Sequence, residues 1–555
     1  MLTELHHAAS QPLARCERTG REVLTSLNAR EWALRLVATR YPHAAAAHTL
    51  VSCIRQGVSL GYAGGRLGTQ AGRNLVSADE HAAAVDKDME KQLKLGRRVG
   101  PLTAHPFTFF RSNPLGVVFK RGSQKPRVIH HLSWPRNGPN VNAGMEDFDV
   151  KLDAFDRAVK SLRALGHNAH MAKIDIEAAY RCIPVRPADW PLQGLTWKGH
   201  MYYDIVMQFG LASATAIFEW YSSAAEYIAR RLFSIEHLHH YIDDFLILAK
   251  TKEECAKYMS QVVELFKALG LPVAMDKLEG PLLAMAFLGI IFDSQRMELK
   301  LSDERLKELT DMLRDWLGRT HASRTQLQSL CGVLNFAAKV VRAGRSFLRR
   351  IIRQLQTIPS WANCDTPYPL SVEFFKDISW WSKFVCSWNG KAVVPTEPDT
   401  SNQLVVYTDA CDTGYGALFN TQWIAEVWTE EESHTAMRDK RESMPWKEMY
   451  AIVRAAATWR ESWRGRNVLI RCDCQPAVMA WQRGDSKSPG MADLIRTLLF
   501  LSATHDFHLT MLHIAGVDNV FADLLSRSQV ATFLAQSRTH CRSPTIPLPL
   551  PTHSW

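Results

Sequence analysis

Two adjacent aspartates, Asp243 and Asp244, interrupt an otherwise apolar stretch of this chain. Tyr241 and Ile242 precede them, and Phe245, Leu246, Ile247 and Leu248 follow. The pattern predicts two short buried strands joined by a tight turn with the Asp pair at its tip. Neighbouring carboxylates repel, so a buried pair demands a proton or a cation. Magnesium, a hard ion that prefers oxygen ligands, suits them. The same residues alone also suit a solvated corner after a strand, so the flanking sequence has to decide.

At 555 residues the chain has room for about three or four domains. Its 46% hydrophobic content is that of a globular protein and excludes a disordered one. A net charge of +10 favours a polyanionic partner such as nucleic acid. The 11 cysteines are odd in number, scattered, and without paired zinc spacing. Reduced thiols in an intracellular protein, in cytoplasm and/or nucleus, are expected. Residues Met1 to Cys16 lack an apolar signal core, and the longest apolar run, Leu282 to Phe292, is too short to span a bilayer. No membrane partner is expected.

Upstream of the Asp pair, a helix is expected from Asp153 to Leu165. Asp175 then lies in an apolar strand between Ile174 and Ile176, where an acid needs a ligand or a partner. Tyr180 follows five residues on. Residues Asn113 to Lys120 and Lys125 to Leu132 read as two strands joined by a turn. Their cations Lys120 and Arg127 suit closure over a triphosphate through charge-assisted hydrogen bonds, or a merely basic exposed hairpin. A strand from Tyr202 to Met207 leads through Gln208, Phe209 and Gly210 into a helix reaching Ile228. Gly210 and the small residues after it allow close packing. An amphipathic helix from Glu253 to Leu269 stops at Gly270, and Phe287 to Phe292 reads as a further buried strand. Residues 1–85 offer a short helix from Arg30 to Arg40 and a Gly-rich middle without phosphate-loop spacing, read as loop or loosely ordered extension. Ala82 to Leu95 reads as a charged helix.

Beyond Ser302 the pattern is helical to Leu317 and again from Arg324 to Gln356. The second block ends in Arg342, Arg345, Arg349, Arg350 and Arg353, which suit a phosphate backbone or plain solvation. Trp361 to Trp388 reads as a packed connector, and Gly390 to Asn402 as a linker. A strand from Leu404 to Ala410 then carries Asp409, with Gly414 to Phe419 returning as its hairpin partner. A helix from Trp446 to Trp459 carries Glu448 and an apolar stripe of Met449, Ile452, Val453 and Ala456. The strand from Val468 ends at Asp473, and Pro476 suits the first turn of the next helix. A strand from Leu509 to Ile514 precedes a helix with Asp523. This alternation predicts a mixed sheet flanked by helices with four acids at one edge; dispersed surface acids are the alternative. The Pro-rich tail, Ser528 to Trp555, reads as disordered.

Taken in order, these signals resemble a retroelement reverse transcriptase fused to a ribonuclease H domain. They are most similar to the DIRS-like and Gypsy-like retrotransposon enzymes, over roughly residues 86–527. The resemblance implies an α+β multidomain fold, a right-hand polymerase followed by a ribonuclease H-like mixed α/β domain. Fingers and palm would occupy residues 86–295, a helical thumb 296–357, a connector 358–402 and the ribonuclease H domain 403–527. Residues 1–85 would be an extension of unassigned role, and 528–555 a tail. In the polymerase, Asp175 and Asp243 would bind two magnesium ions, Asp244 would complete the pair, and Ile176 joins the metal set. Manganese would substitute. Lys120 and Arg127 match the fingers cations, and Tyr180 the aromatic gate against ribonucleotides. Phe209 and Gly210 match the turn beneath the templating base and incoming nucleotide, although Gln208 stands where Gypsy-like enzymes commonly have proline. Phe287 to Gly289 resembles the primer-grip region. Asp409, Glu448, Asp473 and Asp523 match the four metal-binding acids of ribonuclease H, and His513 a mobile histidine near the leaving product, or a structural one.

The implied activities are RNA- and DNA-templated DNA synthesis and cleavage of the RNA strand of hybrids, both two-metal displacements at phosphorus. The implied partners are an RNA template, a DNA primer, RNA–DNA hybrid and deoxynucleoside triphosphates, with any recombinase or integrase a separate protein. A domesticated or decayed copy that binds nucleic acid without catalysis is the rival. Asp412, Thr413 and Gly414 form the triplet of retroviral aspartic proteases, but they lie inside the expected ribonuclease H hairpin.

Overall fold

The computed structural model describes residues 2–119, 125–150, 152–341, 344–359, 361, 363–388, 392–393, 403–430, 432, 443–537 and 543–551. The chain divides into two compact units, Met1–Phe287 and Leu288–Trp555.

The first unit opens with three helices, α1 (Leu2–Ser10), α2 (Ala29–Ala38) and α3 (Ala44–Gln56). α2 falls where the short helix is expected, while α1 and α3 correct the expectation of a loosely ordered extension. Ala47, Leu50, Val51 and Ile54 recur at helical spacing, and all are fully buried. Alanine at four successive positions hides this stripe from a composition-based reading. The stripe shares one core with Trp32, Ile174, Phe245 and Phe266. Asn28 caps α2 by accepting from the Glu31 amide (3.2 Å), and the Trp32 indole donates to the Leu269 carbonyl (3.0 Å).

Next come β1 (Gly68–Ala71), α4 (Val76–Glu80), α5 (Ala82–Lys94), β2 (Arg98–Leu102), β3 (Phe109–Ser112), β4 (Leu115–Phe119) and β5 (Pro126–His130). The expected basic hairpin is β4–β5, antiparallel with Val118 opposite Arg127. Lys120 and the turn lie outside the described residues. Helix α6 (Ala154–Leu165) leads to β6 (His170–Asp175), then β7 (Gly194–Trp197) and β8 (His200–Asp204). The latter two join a five-stranded sheet of order β1-β3-β7-β8-β2. The strand expected over Tyr202 to Met207 ends at Asp204, which two arginines hold in place.

Helix α7 (Ala214–Phe233), β9 (Leu238–Tyr241), β10 (Asp244–Ala249), α8 (Lys252–Leu269) and β11 (Glu279–Leu282) complete a sheet of order β11-β6-β10-β9. Phe245 to Leu248 are buried on both faces of β10, which explains their unbroken apolar run. The apolar run expected as one strand over Phe287 to Phe292 is broken. Leu288 and Gly289 take positive φ (51° and 78°), and β12 (Ile290–Asp293) begins beyond them.

In the second unit, β13 (Glu298–Leu301) pairs with β12. Helices α9 (Asp303–Leu317), α10 (Arg324–Ala337), α11 (Arg349–Thr357) and α12 (Val372–Trp388) follow, so the block from Arg324 to Gln356 is two helices. Ser302 caps α9, and Ser323 with Gln326 forms a capping box on α10. Of the arginines of α11, Arg350 is engaged inside the protein, whereas Arg349 and Arg353 are about half exposed. Arg350 is buried on Asp377 (3.2 Å), Glu373 (2.9 Å) and Asp493 (2.9 Å), while Arg353 meets Asp485 at 3.2 Å. Acids distant in sequence claim these charges. Arg342 lies outside the described residues.

A five-stranded sheet follows, with β14 (Leu404–Ala410), β15 (Gly414–Phe419), β16 (Gln422–Val427), β17 (Asn467–Cys472) and β18 (His508–His513) in the order β16-β15-β14-β17-β18. β16, β15 and β14 are antiparallel; β14, β17 and β18 are parallel. Helices α13 (Ser443–Trp459), α14 (Gln475–Arg483), α15 (Pro489–Thr504) and α16 (Val520–Ser526) accompany the strands, as the alternation predicts. Met449, Ile452, Val453 and Ala456 are fully buried against Val406 and Ile470. The tail is partly built rather than wholly disordered. A last helix, α17 (Val530–Gln536), packs Phe533 on Trp423, and the Thr545 amide donates to the Trp423 carbonyl (2.8 Å). The described cysteines are free thiols. Among the described residues, no helix is long and apolar enough to cross a membrane.

Because Trp32 is fully buried in the core that carries β6 and β10, Trp32→Ala should destabilise the first unit by about 3–5 kcal/mol. Urea unfolding followed by fluorescence checks this. An unchanged midpoint would mean that the N-terminal helices are an appendage.

Candidate active sites

The register of β6, β10 and β9 builds the first acid cluster. Asp244 opens β10 directly opposite Asp175, the last residue of β6, and opposite Tyr241 of β9. Ile242 and Asp243 form the two-residue tip, so the turn lies one residue earlier than the sequence pattern predicts. Ile242 adopts φ 57°, a strained value for a β-branched residue. The Ser222 hydroxyl of α7 donates to its carbonyl (2.7 Å). The Ile176 amide donates to the Asp243 carbonyl (3.1 Å), tying the strand end to the tip. Ile176, Asp175, Asp243 and Asp244 thus meet at one corner of the sheet.

Burial, then repulsion from Asp243 and Asp175, pushes Asp244 up to about 6. Burial and Asp175 likewise raise Asp243. Lys277 donates to Asp175 Oδ1 at 2.8 Å. Sequence reasoning missed this lysine, because it lies in a short 3-10 turn 102 residues from Asp175 and no local pattern marks it.

Beside this corner, the Tyr180 hydroxyl lies 3.2 Å from Thr215 Oγ1 in the first turn of α7, and its ring is 5.1 Å from that of Phe209. Phe209 is 52% exposed. Gly210 sits at φ 92°, and a Cβ there would come 3.1 Å from the His130 carbonyl, so glycine is needed for both conformation and space. Arg127 lies exposed on β5.

The second cluster forms in the five-stranded sheet. Asp409 lies on β14 opposite Gly416 of β15. A Cβ on Gly416 would meet Leu525 Cβ at 2.6 Å and the Ser526 amide at 2.7 Å. Glycine therefore lets α16, which carries Asp523, lie against the strand pair that carries Asp409. The Asn519 carboxamide donates to the Thr408 carbonyl (2.9 Å) and fixes the start of that helix. Asp473 follows the end of β17, and Glu448 projects from α13. Glu448, Cys472 and Asp473 bring one ligand atom each within 4.8 Å of one another.

Burial, then repulsion from Asp473 and Asp523, pushes Asp409 up to about 6. Burial, Asp409 and Asp473 hold Glu448 well above the ordinary carboxylate range, and burial with Asp523 raises Asp473. Arg527 pairs with Asp523 at 2.7 Å. His513 is exposed, with Nε2 3.0 Å from the Asp473 carbonyl. The buried Cys472 thiol, 3.7 Å from Glu448 Oε2, was not legible as a site member. Asp412 of the protease-like triplet is 91% exposed on the β14–β15 connection and pairs with Lys447 (3.1 Å).

An acid-tipped strand paired with an Asp-Asp hairpin is followed in the same chain by a mixed sheet that gathers four acids. Residues 124–292 match the family model of reverse transcriptase (RNA-dependent DNA polymerase), and residues 399–503 that of the RNase H-like domain found in reverse transcriptase. The chain thus carries one region that matches a reverse transcriptase domain and one that matches an RNase H-like domain. Among curated proteins it is similar to the transposon Tf2-3 and Tf2-7 polyproteins of Schizosaccharomyces pombe, at 23% and 22% identity over 366 residues, 64% of this chain. It spans 25% of their length. Its fold is similar to that of the foamy viral protease-reverse transcriptase dRH in complex with double-stranded DNA, with a TM-score of 0.50 at 14% identity, over 91% of this chain and 83% of that one.

The crowded acids imply a cost in the absence of cations. Unfolded, Asp409 loses its proton near pH 4; folded, near about 6. Between these values the folded state binds more protons, so stability falls as pH rises through that window, and the penalty is complete above it. Asp409→Asn should therefore stabilise the chelator-treated protein at neutral pH by roughly 1–3 kcal/mol. The gain should vanish towards pH 4. Urea unfolding of parent and variant at both pH values measures it, and equal midpoints at neutral pH would contradict the repulsion.

Proposed function

We propose that this chain synthesises DNA on RNA and DNA templates and cleaves the RNA strand of RNA–DNA hybrids, serving retrotransposition. The observation that carries the reading is the convergence of all seven acids into two clusters, Asp175, Asp243 and Asp244 in one sheet, Asp409, Glu448, Asp473 and Asp523 in the other. A binder without catalysis has no need to gather acids that repel one another. The apportionment proposed is fingers and palm over residues 86–295, thumb 296–357, connector 358–402 and nuclease 403–527. The N-terminal helices serve as part of the palm's core rather than as an extension.

Carboxylate oxygens gathered at each site fit a hard divalent cation. Asp175, Asp243, Asp244 and Ile176 would hold it in the polymerase, and Asp409, Glu448, Asp473 and Asp523 in the nuclease. When bound, magnesium, or manganese in its place, supplies positive charge for phosphate oxygens at each site. Arg127, with Lys120, would grip the triphosphate of the deoxynucleotide by charge-assisted hydrogen bonds. Phe209 and Gly210 would floor the pocket in which the nucleotide meets the RNA template and DNA primer. Tyr180, wedged between Phe209 and Thr215, would exclude a 2′-hydroxyl by contact. His513, exposed and with Nε2 3.0 Å from the Asp473 carbonyl, would act near the leaving product.

Primer extension on an RNA template, with magnesium and then manganese, tests the reading. The parent should add deoxynucleotides and reject ribonucleotides, and Tyr180→Val should admit ribonucleotides while deoxynucleotide addition persists. A parent that binds the template–primer but extends nothing with either ion would favour the decayed binder. A variant as selective as the parent would remove Tyr180 from the gate.

A further inference from the structure

The turn over Phe209–Ala212 is bracketed by two side-chain carboxamides. On one side, Gln208 is fully buried. Its backbone amide donates to Gln193 Oε1 (3.0 Å), and its Nε2 donates to the Gln193 carbonyl (3.1 Å) and to Asp204 Oδ2 (2.9 Å). Gln193 Nε2 in turn donates to the Asp204 and Val206 carbonyls, both at 3.1 Å. Asp204 is itself buried between Arg98 (2.8 Å) and Arg181 (2.7 Å). Against the effect of burial, Arg181 and Arg98 hold it ionised, well below the usual carboxylate range. Gln208 is thus anchored to a charged network inside the protein, where such bonds are strong.

On the other side stands Asn142. Its Nδ2 donates to the Gly210 carbonyl (2.9 Å) and to Ser133 Oγ (2.9 Å), and its Oδ1 accepts from the Ala212 amide (3.0 Å). One carboxamide therefore satisfies a donor and an acceptor of the turn as a neighbouring strand would. The Asn142 segment is held from outside by the N-terminal part of the chain. The Ala63 amide donates to the Gly144 carbonyl and the Glu146 amide to the Gly61 carbonyl, both at 2.8 Å.

We infer that Asn142 and Gln208 are positioning residues for the deoxynucleotide site, setting the Phe209–Ala212 turn from its two sides. The inference rests on the polymerase reading and adds to it the groups that shape the pocket floor. A proline at 208 would restrict the turn through its ring. Gln208 replaces that restriction with three hydrogen bonds, one of them from a backbone amide that proline lacks. A shift of the turn carries Phe209 away from the Tyr180 ring and displaces the start of α7, where Thr215 holds the Tyr180 hydroxyl. Neither carboxamide has to touch the substrate for its loss to be felt there.

The test uses the full chain on an RNA template with a DNA primer. Asn142→Ala and Gln208→Met should each raise the apparent KM for deoxynucleotides on the order of tenfold. Template–primer affinity and hybrid cleavage should stay at the parental level. Asn142→Asp, which keeps the acceptor for Ala212 but not the donor to Gly210, should fall between. Amide exchange at Ala212, slow in the parent and fast in Asn142→Ala, reads the turn even in a variant too weak to assay. Parental KM in both variants, or slow exchange at Ala212 after the asparagine is removed, would overturn the inference while leaving the polymerase reading intact. So would a loss of kcat and template–primer affinity together at unchanged KM, which marks a plain folding defect. A parent that extends no primer would instead take both readings down.

Discussion

Carboxylates gathered where water is scarce repel one another, and both acid clusters of this chain exist only because surrounding structure leaves them no room to separate. In the first unit the constraint is strand register. Asp175 and Asp244 are opposite residues of an antiparallel pair, and a one-residue slip would send Asp244 to the other face. In the ribonuclease H-like sheet the constraint is approach. Gly416 removes a side chain that would hold α16 off the strand bearing Asp409. Each arrangement stores electrostatic repulsion that a cation relieves.

The register of the Asp hairpin is itself maintained by a second charged layer. His240 of β9 lies between Glu226 and Glu219 of α7, and Arg157 of α6 closes on Glu226 at 2.6 Å. Against burial, hydrogen bonds to Glu219 and Glu226 keep His240 protonated, with its pKa up at about 9. His240 and Arg157 hold Glu226 down at about 2. The hairpin is thus clamped to α7 by this pair and by Ser222 on the Ile242 carbonyl. Mutual repulsion at the tip is opposed by fixed attraction three residues behind it.

The parts legible in the sequence are those whose signal is local. Asp243 with Asp244, Asp175 at a strand end, and Asp409, Glu448, Asp473 and Asp523 on their alternating elements all follow from patterns a few residues long. What could not be read depends on partners far along the chain. Trp32 meets Leu269 across 237 residues, Arg350 meets Asp493 across 143, and Lys277 meets Asp175 across 102. An alanine-rich helix looks from sequence alone like an extension, and only the positions of its partners show a core. Burial of Arg350 within an arginine-rich helix depends likewise on distant acids. Gln208 breaks the expected proline pattern for the same reason, since its justification lies in Gln193 and Asp204.

The central claim is that the two clusters are separate catalytic centres on one chain. On the proposed function, affinity for a hybrid would come mostly from phosphate contacts, so loss of one acid should leave binding intact. Asp243→Asn and Asp409→Asn, assayed for extension and for RNA cleavage on the same end-labelled RNA–DNA hybrid, test this most directly. The expected result is reciprocal: Asp243→Asn cleaves but does not extend, and Asp409→Asn extends but does not cleave. Loss of both activities in either variant, with hybrid binding and folding at the parental level, would contradict two independent centres.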